Sequence, residues 1–231
     1  MPSEAVRKAI EALRAGGPVM IYDSESRESE VDLVYHASGV TPDVVYTLRT
    51  MAGGLICFAT TWTVANGLGL PWGDELIAKV PELKPLAERR LGYGDRPAFT
   101  IWVNHVSVRT GISDVDRSKT IAELYKVVKL FVEGRRGEAV AKFRGEFQAP
   151  GHVPILASRG LRNRRGHTEL SIALSALAGL EPATVFAEML DRGVSLSYSK
   201  AREVSERAGI PLVSGDEVVE ACDGVEMCWS G

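Results

Sequence analysis

The stretch Val19-Met20-Ile21-Tyr22-Asp23-Ser24-Glu25-Ser26-Arg27-Glu28-Ser29-Glu30-Val31-Asp32-Leu33-Val34-Tyr35 holds a polar segment between two short apolar runs. Runs of β-branched and aromatic residues this short read as buried strands. The acidic segment is therefore a connection whose ends are fixed in a core sheet. Residues 23 to 32 carry five carboxylates, Asp23, Glu25, Glu28, Glu30 and Asp32, against one base, Arg27. An extended course over residues 28 to 32 would put Glu28, Glu30 and Asp32 on one face, because strand side chains alternate. Like charges on one face repel unless something neutralises them. A hard divalent cation is one answer and Arg27 a second. A solvated acidic turn is the plainer reading of the same residues.

Apolar residues make up 45% of the 231 and charged residues 25%, as in a globular chain with a full core. The net charge is −3, from 27 bases and 30 acids. Outside residues 23 to 32, 26 bases face 25 acids, so the acidity is local. No basic field points to nucleic acid, and no polybasic or long apolar segment points to a membrane. Without an apolar signal core at the N-terminus, a cytoplasmic protein is expected. Three cysteines with no paired spacing argue against a disulfide framework and against a thiolate zinc site. Cys57 reads as a small core residue, and Cys222 and Cys228 fall in a short tail, residues 222 to 231.

Residues 4 to 14 have helical spacing, with Ser3 as cap and Gly16-Gly17 as stop. Thr41-Pro42 opens a second helix. Residues 55 to 59 read as a buried strand. Residues 66 to 98 are rich in glycine and proline and read as a surface excursion, with a short helix near residues 82 to 90. Phe99 to Val108 form a long strand pattern. The polar turn Thr110 to Arg117 then leads into a helix carrying Ile121, Leu124, Val127, Val128 and Phe131. A helix over 138 to 147, a short strand from Val153 to Ala157 and a helix over 170 to 177 follow. Next come a strand from Val185 to Leu190 with Glu188 inside it, a helix to Ala208 and a strand from Ile210 to Val213. The capping box Ser214-Gly215-Asp216-Glu217 opens a last helix. The whole chain, 1 to 231, reads as a single three-layer α+β domain, a mixed sheet covered by helices on both faces.

Arg164-Arg165-Gly166-His167-Thr168 enters a helix start, where free backbone N–H groups and the dipole favour an anion. Two arginines and a threonine hydroxyl add donors, and glycine permits close approach. This is a candidate phosphate site; an ordinary capped basic loop is the alternative. His167 beside it is a possible metal ligand or a local hydrogen-bonding residue.

Together these motifs resemble one family. Asp23-x-Glu25-x-Arg27-Glu28-x-Glu30-x-Asp32, Thr110-Gly111-Ile112-Ser113 with Asp116-Arg117, Pro150-Gly151-His152, Arg164 to Glu169 and Glu188 follow the order and spacing of the 3,4-dihydroxy-2-butanone 4-phosphate synthases of riboflavin biosynthesis. The pattern looks like the archaeal single-function form and covers about residues 4 to 220. One departure is Ser29-Glu30-Val31-Asp32 where the family usually has Asn-Glu-Gly-Asp. Val31 in place of glycine suggests that this position needs no positive φ.

The resemblance implies a lyase that converts D-ribulose 5-phosphate into L-3,4-dihydroxy-2-butanone 4-phosphate and formate. It implies magnesium or manganese, two ions per subunit, with Glu28 and His167 as protein ligands. Arg164, Thr168 and Thr110 would hold the phosphate, and Asp32, Glu30, His152 and Glu188 are the acid–base candidates. Arg27, Glu28, Asp32, Cys57, Arg165, Gly166, His167 and Glu188 would also contact substrate. A homodimer with shared sites is implied, and Trp62, Trp72 and Trp102 read as exposed enough to suit its interface. Whether the acidic stretch and His167 meet within one chain or across two stays open. Another metal-dependent phosphosugar isomerase or epimerase, and a non-catalytic phosphate-binding module, are the rival readings.

Overall fold

A computed structural model describes residues 2–231. Strands β1 (Val19–Tyr22), β2 (Val31–His36), β3 (Cys57–Thr61), β4 (Phe99–His105), β5 (Phe147–Ser158), β6 (Thr184–Glu188) and β9 (Leu212–Ser214) form one sheet in the order β4-β5-β3-β6-β2-β1-β9. A two-stranded hairpin, β7 (Leu190–Asp191) and β8 (Val194–Ser195), stands apart. The large sheet is mixed: β1 with β9 and β3 with β5 are parallel, the other neighbours antiparallel.

Strand alternation divides the core. Met20, Leu33, Tyr35, Phe58, Ile155, Val185 and Ala187 point to one face. There they meet α2 (Pro42–Thr47), α3 (Trp62–Gly67), α6 (Asp114–Val132), α7 (Arg136–Glu146) and α9 (Tyr198–Ala208). Val19, Ile21, Val34, Cys57, Ala59, Leu156, Phe186 and Val213 point to the other face. That face is covered by α1 (Glu4–Arg14), α8 (His167–Leu177) and α10 (Gly215–Ala221). Two further short helices, α4 (Gly73–Ile77) and α5 (Lys84–Ala87), lie in the excursion between β3 and β4. This is an α+β fold with helices on both faces of a mixed sheet.

Several local expectations change. Residues 28 to 32 are not extended as a unit. The acidic segment turns through residues 25 to 28, Ser29 takes φ 55°, and β2 begins only at Val31. Val31 is ordinary strand, paired with Tyr22, so it indeed carries no positive φ. β4 stops at His105 rather than Val108, because the chain must turn into the Thr110 loop. β5 is longer than the Val153–Ala157 run, since its first half pairs with β4 across a register shift. Glu188 is the last residue of β6, not an interior one, and the chain re-enters as the hairpin. Cys222 and Cys228 form a disulfide, contrary to the expectation of unpaired cysteines. Both are buried against α8, and the final residues pack beside Ser158 and Arg159 rather than trailing as a tail. Trp72 is also buried: it stacks on Trp62 at 4.2 Å and carries Arg159 over its ring at 3.6 Å. Of the three tryptophans only Trp102 is clearly exposed.

Candidate active site

Three adjacent strand ends set the floor of a cavity of about 210 Å³. In the β2–β6 pairing Asp32 lies directly opposite Glu188, and in the β3–β6 pairing Cys57 lies opposite Phe186. By alternation Asp32, Cys57 and Glu188 all face α8. His167, the first residue of α8, closes the cavity from that side together with Thr168 and Arg164, and Glu28 enters from the acidic loop.

Asp23 shapes that loop. One of its oxygens accepts from the Arg27 guanidinium and the Glu28 N–H, both at 3.0 Å, and the other from the Glu30 N–H at 3.1 Å. Asp23 is thus fully engaged and free to bind little else, although it lies near Glu28 and His167. Glu30 turns away: its carboxylate accepts from the Ser195 hydroxyl of the hairpin at 2.5 Å.

His167 is the centre of charge. Its Nε2 lies 3.2 Å from the Glu30 carbonyl, which fixes that nitrogen as the donor. Its Nδ1 faces Glu28 at 3.5 Å and Asp32 at 3.6 Å. Burial pushes the imidazole pKa down, but Asp32, Glu28 and Asp23 push it up by more, so the ring is held protonated above its usual range. Glu28 is the mirror case: burial raises it, and the hydrogen bonds from His167 and Tyr93 outweigh that and hold it ionised. Asp32 is wholly buried, and burial pushes its carboxyl far up; His167 opposes this, while Glu188, Glu28 and Glu30 add to it. Asp32 Oδ1 is buried with no hydrogen-bond partner. Burial likewise raises Glu188, although the Leu55 N–H donates to its Oε2 at 2.8 Å. Cys57 is raised by burial and stays a neutral thiol.

A basic wall faces these acids. The Arg164 guanidinium donates to the buried Glu169 carboxylate at 2.5 Å. Gly166 gives the guanidinium room, because a Cβ there would stand 2.3 Å from Arg164 Nη1 and push it off Glu169. Having no side chain, Gly166 cannot cap α8 with an oxygen, so the first-turn N–H groups stay available. Arg165 is exposed and does not line the cavity, so it is not placed with the other candidates.

His152 and Thr110 also lie outside this cavity and form a second, exposed cluster. The register shift between β4 and β5 throws Pro150-Gly151-His152 outward. Asn104 holds the two loops together: its Oδ1 accepts from the His152 N–H at 2.8 Å, and its amide nitrogen lies 3.1 Å from His152 Nδ1. Gly111 packs against the Asn104 side chain so closely that a Cβ would clash at 2.2 Å. Asp116 accepts from the Gly111 N–H at 2.9 Å and from Thr110.

Three residues with a place here had no motif to announce them. Asn104 sits in a plain strand pattern. Tyr93 and Asp95 lie in the 66–98 excursion, whose last turn folds over the cavity. Tyr93 donates to Glu28, and Asp95 accepts from Arg27 at 2.8 Å.

The sequence profile of 3,4-dihydroxy-2-butanone 4-phosphate synthase matches residues 7–221. A protein of that name from Methanosarcina mazei is 40% identical, aligned over 99% of this chain and 94% of its own length. One from Archaeoglobus fulgidus is 40% identical over 92% of each. Among solved structures, a 3,4-dihydroxy-2-butanone 4-phosphate synthase in complex with two magnesium ions superposes with TM-score 0.77 at 26% identity, covering 97% of this chain and 99% of that one. The two-domain RibBX from A. baumannii superposes with TM-score 0.74 at 26% identity, and this chain spans 57% of its length.

Proposed function

Because the chain belongs to the 3,4-dihydroxy-2-butanone 4-phosphate synthase family, we propose that it converts D-ribulose 5-phosphate into L-3,4-dihydroxy-2-butanone 4-phosphate and formate, as one domain over its whole length. The observation that carries this reading is the single cavity in which Glu28, Asp32, Glu188 and His167 face Arg164 and Thr168. A phosphosugar needs both walls, one for its phosphate and one for proton transfers along its hydroxyls.

Divalent metal dependence fits the residues present. His167 Nδ1 points at two carboxylates with its other nitrogen tied to a carbonyl, and Asp32 Oδ1 is an orphaned buried oxygen. Glu28 and His167 would be the ligands, and magnesium or manganese bound there supplies charge that stabilises an enediolate. Two ions per subunit and the choice of metal belong to this proposal. Arg164 and Thr168 hold the phosphate end. Burial raises the pKa of both Asp32 and Glu188, which favours the protonated form and suits groups that give protons as well as take them. Cys57 supplies a neutral wall. The work is done by a homodimer in the cytoplasm, in which the exposed His152 and Thr110 of one subunit reach the partner's cavity.

Incubation with ribulose 5-phosphate and magnesium should release formate in step with substrate loss. An isomerase or epimerase acting on the same substrate releases none, and a binding module leaves it unchanged.

A further inference from the structure

We propose that Asp95 is a built-in stand-in for the substrate's phosphate, holding the phosphate subsite until a true dianion displaces it. The inference rests on the phosphosugar reading above. Asp95 Oδ2 accepts from Arg27 Nη2 at 2.8 Å and from Nε at 3.2 Å, a two-pronged grip. The same oxygen lies 3.8 Å from Arg164 Nε. Arg27 also carries the Tyr93 ring at 4.7 Å, so the segment from Leu91 to Pro97 is drawn down over the cavity by this one carboxylate and its neighbour.

Each arginine has a permanent partner elsewhere. Arg27 is paired with Asp23 at 3.0 Å, and Arg164 with Glu169 at 2.5 Å. Asp95 therefore takes only the faces of the two guanidiniums that look toward each other, and it takes them unequally. Arg27 is well satisfied. Arg164, with a side chain only 8% exposed, keeps its buried Nε without a hydrogen-bond partner. An unpaired buried donor is costly. Asp95 Oδ2 stands at bonding distance from Arg27 and 3.8 Å from Arg164 Nε, whereas the three free oxygens of a phosphate monoester can reach both guanidiniums at once. The dianion satisfies Arg27 and Arg164 Nε together and releases Asp95 to water, which its position on an irregular, partly exposed loop allows. A neutral ketose has no charge with which to displace it. Asp95 is in this sense a specificity residue for phosphorylated ligands.

The probe is inorganic phosphate, titrated calorimetrically into the wild type and into Asp95→Asn and Asp95→Ala, with folding checked by circular dichroism. Both variants should bind phosphate about tenfold more tightly than the wild type, and the KM for ribulose 5-phosphate should fall more than kcat changes. A residue that merely orders the loop would give the opposite sign, since its loss loosens the wall of the site. Equal or weaker phosphate binding in both variants overturns the role of Asp95 while leaving the synthase reading intact. Ribulose 5-phosphate should displace phosphate from all three proteins; failure to compete in any of them would overturn the subsite itself, and the Asp95 assignment with it.

Discussion

Ser29 is the only non-glycine residue with positive φ among those described, at 55°. Left-handed backbone costs most residues about 1–2 kcal/mol, and asparagine tolerates it best after glycine. The family's usual Asn-Glu-Gly-Asp has asparagine at this very position. Ser29→Asn should therefore raise the unfolding free energy by about 0.5–1 kcal/mol, and Ser29→Val should lower it by about 1–2 kcal/mol, measured by urea titration. The reverse order would mean that the Ser29–Tyr22 hydroxyl contact at 3.1 Å outweighs the backbone. The site residues separate in the same way. Glu188→Gln keeps an acceptor for the Leu55 N–H but removes a proton carrier, so kcat should fall by about 10²–10⁴ with KM nearly unchanged. Arg164→Ala is a poor companion experiment, because it strips the fully buried Glu169 of its positive counter-charge and should cost about 3–5 kcal/mol of stability. Arg164→Lys keeps that charge, and steady-state kinetics should show it raising KM far more than it lowers kcat.

At the scale of elements, the start of α8 and the acidic loop act as one device. With His167 protonated, it is the counter-charge to Glu28 and Asp32; a metal bound at Nδ1 must take the place of that proton. Its pKa is raised, so manganese affinity measured by calorimetry should climb about tenfold per pH unit from pH 6 toward that raised value and then level off. A flat profile would remove His167 from the ligand set, and full turnover in EDTA would remove the metal. That the acidic loop and the start of α8 serve one site is legible only through the family resemblance, and the sequence leaves open whether they meet within one chain. The strand registers are not legible. That Asp32 sits opposite Glu188 follows from long-range pairing of β2 with β6, about which alternation alone says nothing. The hairpin after Glu188 escaped because two-residue strands have no periodicity. Asp95 and Tyr93 escaped for a different reason: among glycines and prolines, only tertiary contact gives a residue its place. Cys222 and Cys228 looked unpaired on spacing, yet one turn of α10's exit brings their Cα atoms to 5.9 Å.

The whole molecule presents two chemically incomplete surfaces. Glu28 and His167 meet within one chain at 3.5 Å, so the acidic loop and the α8 start need no second copy to find each other. His152 and Thr110, held by Asn104, are exposed and do not line the cavity. Two-fold assembly is the common way to turn such an exposed cluster into part of a partner's site. Val106, Ile112 and Val115, near this cluster in sequence, are exposed apolar residues of the kind that an interface covers. Light scattering should therefore give about twice the 25.0 kDa chain mass. The sharper test is complementation. Glu28→Gln and His152→Ala should each be inactive as homodimers. After subunit exchange at equal amounts, half the dimers are mixed, and each mixed dimer has one cavity with intact Glu28 facing an intact His152. About a quarter of wild-type activity should return. The pair Glu28→Gln with His167→Ala should recover only what the same geometry allows, which is nothing: both residues belong to one cavity in one chain, so every mixed dimer has two damaged sites. No recovery in the first pair after exchange is demonstrated would mean that His152 serves the cavity of its own subunit, and recovery in the second would mean that Glu28 and His167 of one working site come from different subunits.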